Sequence, residues 1–186
     1  MSTAPTSIAK KRTRGKGIYM KNVLTRKISL PFRNIGSNIK VNIKKVLETT
    51  LYGKCAKEGY IRKNSINILS FSSGVVAGNY VTFDVIFECL VCHPVEGQII
   101  KCRVKNITRA GIRANYAKEE ISPITIFIAR DHHYNNEFFS KIKTDQDIVI
   151  RVIGIRYELN DETISILGEL KLPKKRPKTK VTIIEE

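Results

Sequence analysis

Nowhere in the chain do about eighteen apolar residues follow one another, so no segment reads as a membrane-spanning helix. The first residues carry no apolar stretch of the kind a secretory signal uses, so no export signal is expected. Cysteine is sparse. The four present (Cys55, Cys89, Cys92 and Cys102) are expected to sit reduced inside a cell. Histidine is sparser still, with three in the whole chain. No Ser/His/Asp set and no paired-carboxylate pocket is recognisable. Gly74 to Gly78 lacks the lysine that a phosphate-cradling loop requires. No long internal repeat is present. These absences point away from catalysis and call for no cofactor and no metal.

What the chain does have is positive charge. Its 186 residues hold 33 Lys and Arg against 17 Asp and Glu, a formal charge of +16. That balance favours nucleic acid or another anionic surface as partner. Placement says more than the total. Residues 1–16 bring five positive charges and no negative ones, and residues 171–186 a net +4. Residues 17–93 carry eleven positive and four negative side chains, whereas 94–170 carry eleven of each. Even that neutral half is split, with +4 over 94–130 and −4 over 131–170. The second half is polarised rather than basic.

The stretch 94–115 shows the pattern most clearly. Pro94 and Gly97 signal a turn, and a strict alternation follows. Ile100, Cys102 and Val104 point one way, and Lys101, Arg103 and Lys105 the other, as in a half-buried strand. Residues 108–111 break the run, and Ile112 to Asn115 start a second short strand. This reads as a hairpin with a basic outer face. Before it, residues 1–16 are expected to be a disordered basic tail, carrying either a nuclear-import or nucleic-acid arm or no specific role. Ile18 to Leu30 reads as a strand ended by Pro31. Ile39, Ile43, Val46, Leu47 and Leu51 then recur at three- and four-residue spacing. They predict an amphipathic helix capped by Ser37 or Asn38 and closed near Gly53, its lysines forming a solvated face. Two further strand candidates lie at 53–61 and 66–71. Val81, Phe83, Val85, Phe87, Cys89 and Val91 alternate without a miss, which predicts a long strand. After the hairpin come strands near 121–129, 147–157 and 163–170, with a turn at Asn160-Asp161 and a polar loop from Arg130 to Asp145. Five strands with the longest connection between the third and fourth is the layout of an OB-type barrel. The expected class is therefore α+β: a strand-helix-strands unit at 17–93, a five-stranded OB-type β-barrel at 94–170, and a second basic tail at 171–186.

Three constellations carry possible chemistry. Cys89-x-x-Cys92-His93 has a zinc-like spacing, with Cys55 and Cys102 elsewhere. Residues three apart on a strand face opposite sides, however, and Leu90 and Val91 stand where a zinc knuckle turns. Buried structural thiols are the favoured reading. Asp131-His132-His133 superficially matches a phosphoesterase signature, but the further His and Asp ligands are missing. A loop beside a basic strand end is simpler, which makes Arg130 and His132 candidates for phosphate contact. The nucleic-acid constellation is the fullest. Lys101, Arg103 and Lys105 share a strand face, Arg109 and Arg113 follow on the hairpin, and Tyr116 and Phe127 offer rings. Positive charge with stacking rings holds single strands without reading sequence. The alternative is that some of these cations pair with the acidic 131–170 segment or face a protein.

Taken together, these features resemble a known family. Glu96-Gly97-Gln98 before a Val-containing strand, then Gly111-Ile112-Arg113-Ala114, resembles the S-one type of OB domain. From about Ile18 to Leu170 the chain resembles the stalk subunit of multisubunit RNA polymerases, the seventh subunit of eukaryotic polymerase II or its archaeal counterpart. The likeness rests on the strand-then-helix start and on Gly53-Lys54-Cys55 with Gly59-Tyr60-Ile61. It rests also on Val81-x-Phe83-x-Val85-x-Phe87 running into Pro94-x-x-Gly97, and on Ile126-Phe127-Ile128-Ala129-Arg130. The compact form with long basic ends is similar to versions in large cytoplasmic DNA viruses. The resemblance implies a tip unit that docks on polymerase core subunits and pairs with a smaller stalk subunit. It also implies an OB domain that contacts nascent RNA. Arg113 stands where the family usually has an aromatic, so charge replaces stacking there. Phe127 matches a position often aromatic or His.

The expectation is a non-catalytic polymerase subunit, in virion and host cytoplasm if viral and in the nucleus if cellular. The alternatives are a free-standing OB-domain RNA-binding factor of translation or RNA decay and, from another class, a metal-dependent hydrolase.

Overall fold

A computed structural model describes residues 17–119, 121–133 and 137–171; the basic tails expected at the ends lie, apart from Lys171, outside the described residues. The first long strand, β1 (Tyr19–Pro31), is followed by a 3-10 turn (Phe32–Asn34) and the helix α1 (Ile39–Leu51). Ile43 and Leu47 of α1 are fully buried, and Ile39, Val46 and Leu51 pack beside them, so the three- and four-residue spacing marks the covered face. Asn38 occupies the N-cap position, but its side chain makes no capping bond. The helix start is held instead by Asn42, whose Nδ2 donates to the Asn34 carbonyl at 2.9 Å. Just beyond the C-cap, Gly53 takes φ +69°, the left-handed conformation that suits glycine after a helix.

Four short strands follow, β2 (Cys55–Ala56), β3 (Gly59–Ile61), β4 (Asn67–Phe71) and β5 (Val75–Ala77), and then the long β6 (Tyr80–Cys92). β6 is the axis of this sheet. It pairs antiparallel with β1 along its whole length, from Pro31 opposite Tyr80 to Tyr19 opposite Cys92. Its other edge is covered in turn by β5, β4 and β3, with β2 outside β3. All six of the alternating residues from Val81 to Val91 are buried. They join Leu24, Ile28 and Leu30 of β1 and the apolar face of α1 in one core.

The second sheet is a closed barrel of β7 (Ile99–Ile107), β8 (Gly111–Tyr116), β9 (Ile124–Ala129), β10 (Asp147–Arg156) and β11 (Ile164–Leu170). Around the barrel the order is β7-β8-β9-β11-β10 and back to β7, with β9 and β11 parallel and the other pairs antiparallel. That is the five-stranded OB-type layout expected from the strand spacing. Between β9 and β10 stand a second 3-10 turn (Asp131–His133) and the short helix α2 (Glu137–Ser140). The barrel core is mostly isoleucine, with Ile112, Ile124, Ile126, Ile128, Ile150 and Ile164 fully buried. Branched side chains suit a pleated, filled interior.

The two sheets share a seam. Ile18, Cys55, Tyr60 and Cys92 belong by position to the first half of the chain, yet pack in the barrel core. Backbone bonds cross the seam as well. The Cys55 N–H donates to the Asp161 carbonyl, and Cys55 O accepts from the Asn160 N–H, both at 2.8 Å. The turn between β10 and β11 thus satisfies the outer edge of β2. The Tyr157 hydroxyl adds a bond to the Lys57 carbonyl at 3.4 Å.

Candidate nucleic-acid interface

β7 builds the site because its alternation survives folding: Lys101, Arg103 and Lys105 are exposed while Ile100, Cys102 and Val104 are buried. A β-bulge then interrupts the β7–β8 ladder. Val104 faces Ala114 and Asn106 faces Arg113, which leaves Lys105 as the extra residue. From the bulge onward, a row of outward positions crosses the barrel wall: Asn106, then Arg113 on β8, Phe127 on β9 and Leu167 on β11. Phe127 keeps 39% of its surface exposed. The register sets it beside Arg113 in the row.

At the turn between β7 and β8, Thr108 closes the backbone by bonding Gly111 three ways. Its N–H and its hydroxyl donate to Gly111 O, and its Oγ1 accepts from Gly111 N. A Cβ on Gly111 would run into the Ile128 carbonyl oxygen, so glycine permits the close approach of β8 to β9. Arg109 projects from this turn. No ion pair or hydrogen bond ties the side chains of Lys101, Lys105, Arg109 or Arg113 to another described residue.

The other expected site residues fare differently. Arg103 is engaged: its Nε donates to Asp147 Oδ1 at 2.8 Å across the β7–β10 pair. That hydrogen bond raises the Arg103 pKa and holds the Asp147 carboxyl below the usual carboxylate range. Pairing with the acidic segment, the alternative left open by the sequence, is thus realised at this cation. Tyr116 is a correction. It is 7% exposed and belongs to the barrel core, so it offers no ring to a bound base. Period two already put it in phase with Ile112 and Ala114, both buried. Arg130 is exposed, but its guanidinium donates to the Thr108 carbonyl at 3.3 Å and lies 5.5 Å from the Phe139 ring centre. His132 is exposed on the 3-10 turn. Lys105, Arg109, Arg130 and His132 gather where β7 gives way to β8 and β9 ends. The seam to the first sheet lies at the barrel's opposite end.

The metal-like motifs do not assemble. Cys89 and Cys92 are both buried, one in each core, and all four cysteines are free. Burial pushes their thiols up, Cys92 and Cys102 to about 12 and Cys55 and Cys89 to about 11, which makes them poor nucleophiles. Among the described residues no group of three or more His, Cys, Asp or Glu is placed to hold a metal ion. His132 is exposed to solvent while His133 is buried, so the Asp131-His132-His133 run forms no common centre.

Two features had no sequence signal. A cluster at the seam joins Tyr19, whose hydroxyl donates to Glu119 Oε2 at 2.8 Å, with Arg62, which pairs with Glu119 Oε1 at 3.3 Å and lies 5.0 Å from the Tyr19 ring centre. The edge of the first sheet leaves Leu69, Phe71, Val75, Val76 and Tyr80 exposed, with Ile86 beside them on β6. Neither is visible until β4, β5 and β6 are paired and the seam is closed.

No protein-family model matches the chain. Over 166 residues it is 24% identical to DNA-directed RNA polymerase II subunit RPB7 of Glycine max, covering 80% of this chain and 90% of that protein. DNA-directed RNA polymerase II subunit 7 of Arabidopsis thaliana is 24% identical over the same length and shares. A chain of Acanthamoeba polyphaga mimivirus named as a DNA-directed RNA polymerase subunit, L376, is 22% identical over 171 residues, covering 83% of each chain. The resemblance to RPB7-like stalk subunits thus runs along most of the chain, at modest identity.

Proposed function

We propose that the chain is a non-catalytic stalk subunit of a DNA-directed RNA polymerase, anchored through residues 17–93 and touching nascent RNA through residues 94–170. The observation that carries this reading is the set of cations, unpaired among the described residues, on one wall and one end of an OB-type barrel, in a chain similar to RPB7 along most of its length. Lys101, Lys105, Arg109 and Arg113 supply charge for the phosphate backbone, and Phe127 supplies a stacking ring. Arg130 and His132 border the same end. The exposed apolar side chains at the edge of the first sheet, Leu69, Phe71, Val75 and Val76, suit a protein partner better than RNA. That edge is assigned to polymerase core subunits, and the pairing with a smaller stalk subunit to the same unit, residues 17–93. In a virus the place of action is the virion and host cytoplasm; in a cell it is the nucleus.

Affinity purification of the tagged chain from its source tests the polymerase assignment. The large polymerase subunits should co-purify in stoichiometric amounts. Recovery of ribosomes or decay factors instead would favour a free-standing RNA-binding factor. The RNA assignment is tested by titrating single-stranded RNA at several salt concentrations. Each phosphate contact contributes about 0.7 to the slope of log affinity against log salt. A flat line would remove RNA from the barrel wall.

A further inference from the structure

His133 is one of the few polar side chains buried among the described residues, and both ring nitrogens are used. The Leu170 N–H donates to Nε2 at 2.9 Å, so Nε2 must be the unprotonated nitrogen. The proton then sits on Nδ1, which donates to the Ala129 carbonyl at 2.8 Å. One neutral imidazole therefore joins the last residue of β9 to the last residue of β11. The same ring stacks on Phe139 of α2, with centroids 5.3 Å apart and planes 16° from parallel. Phe139 is also the ring that carries the Arg130 guanidinium. The His133 N–H closes the 3-10 turn on the Arg130 carbonyl at 2.7 Å, and the Arg130 N–H bonds Ala110 O at 3.0 Å. Arg130 is thus fixed from three sides: by the β7–β8 turn, by Phe139 and by the turn that His133 pins.

We propose that His133 is a positioning residue for RNA contact: through Phe139 and the 3-10 turn it aims the Arg130 guanidinium along the cationic end of the barrel, beside Arg109 and Lys105. This rests on the reading of the barrel as an RNA-binding surface. A long cation on an exposed rim loses several rotatable bonds when it binds phosphate, and one already held in place loses fewer. Exposure does not reveal this role, because His133 is itself buried. The neighbouring His132 is the more conspicuous histidine from the sequence, yet among the described residues it has no such partners.

The test is the salt dependence of single-stranded RNA binding by the full chain, its folding checked by circular dichroism and thermal midpoint. His133→Phe keeps a ring to stack on Phe139 but removes both hydrogen bonds. His133→Gln keeps an acceptor for the Leu170 N–H. Phe139→Leu removes the ring under Arg130 and leaves His133 in place. His133→Phe and Phe139→Leu should each lower the salt slope by about 0.7, the share of one phosphate contact, or roughly fivefold in affinity across a decade of salt. His133→Gln should restore part of that loss. In an Arg130→Gln background His133→Phe should lower the slope no further, because the contact is already gone. A purely structural histidine would shift the thermal midpoint and leave the slope alone. A folded His133→Phe or Phe139→Leu chain with the native slope overturns the assignment, as does an additive loss in the Arg130→Gln background. If the native chain shows no RNA binding at any salt, the RNA reading fails and this role falls with it.

Discussion

Cys89 and Cys92 lie three residues apart on β6, and their thiols are buried in two different cores. One strand is therefore rooted in both halves of the molecule. The first part of β6 lines the sheet core with Phe83, Val85 and Phe87, and its last residue passes into the barrel. At the seam the two cores meet along this strand.

Those thiols give the protein a defined alkaline limit. A thiol raised by burial keeps its proton in the folded chain at a pH where the unfolded chain has lost it. Its contribution to stability is whole below the ordinary thiol value and is lost as pH climbs towards the folded value. With the four raised to about 11 or 12, urea stability should be flat to about pH 8. Above about pH 9 it should fall by up to ~1.4 kcal/mol per pH unit for each thiol. Replacing Cys92 and Cys102 by alanine should make the alkaline fall shallower. In the native state a thiol reagent should label none of the four.

Asp147 holds Arg103, one of the cations in the proposed RNA contact. Asp147→Asn removes the charge that holds the guanidinium. RNA affinity should rise and the salt slope steepen by about 0.7, as one more cation becomes available. The pair is exposed and screened by water, so the melting temperature should barely move. Fluorescence anisotropy with a labelled single strand reads both quantities. Charge reversal at Lys105 or Arg109 should weaken binding more than reversal at Arg103.

Tyr116 and Phe127 should separate cleanly. Tyr116→Ala empties a core site and should cost about 3–5 kcal/mol of stability while leaving the RNA salt slope unchanged. Phe127→Ala removes an exposed ring. It should cost little stability but about 1–3 kcal/mol of RNA affinity, again without altering the slope, since stacking is not a phosphate contact. Denaturation and binding curves on the two variants decide the matter.

Glu119 holds the seam through Tyr19 and Arg62. Desolvation, then the hydrogen bond to Glu119, raises the Tyr19 pKa, so the phenol stays protonated as the donor. Glu119→Ala strands that hydroxyl and should cost about 1–3 kcal/mol. Glu119→Gln keeps an acceptor and should recover most of it. Chemical denaturation measures both, and faster proteolysis between β6 and β7 should accompany the alanine variant.

What the sequence made legible was whatever period two could carry. The run from Val81 to Val91 and the cation row of β7 each have a single covered face, and local spacing reveals which one. The same rule on β8 buries Tyr116 with Ile112 and Ala114, against the expectation of a surface ring there. The Arg103–Asp147 pair needed the β7–β10 register, which exists only once the barrel closes. His133 had no periodicity to announce it. The three partners of its ring come from β9, α2 and β11, and no local pattern links those elements.

The pairing of β1 with β6 also has a consequence in time. On a ribosome, β1 is made first and cannot complete its ladder until Tyr80 to Cys92 have been synthesised and the intervening helix and short strands threaded past. Loop closure over such a span is slow. In the interval Leu24, Ile28 and Leu30 have no β6 to cover them, and the nascent chain is sticky along that strand. Yield of native chain should therefore depend on elongation speed through residues 32–79, and slower translation there would lengthen the exposure.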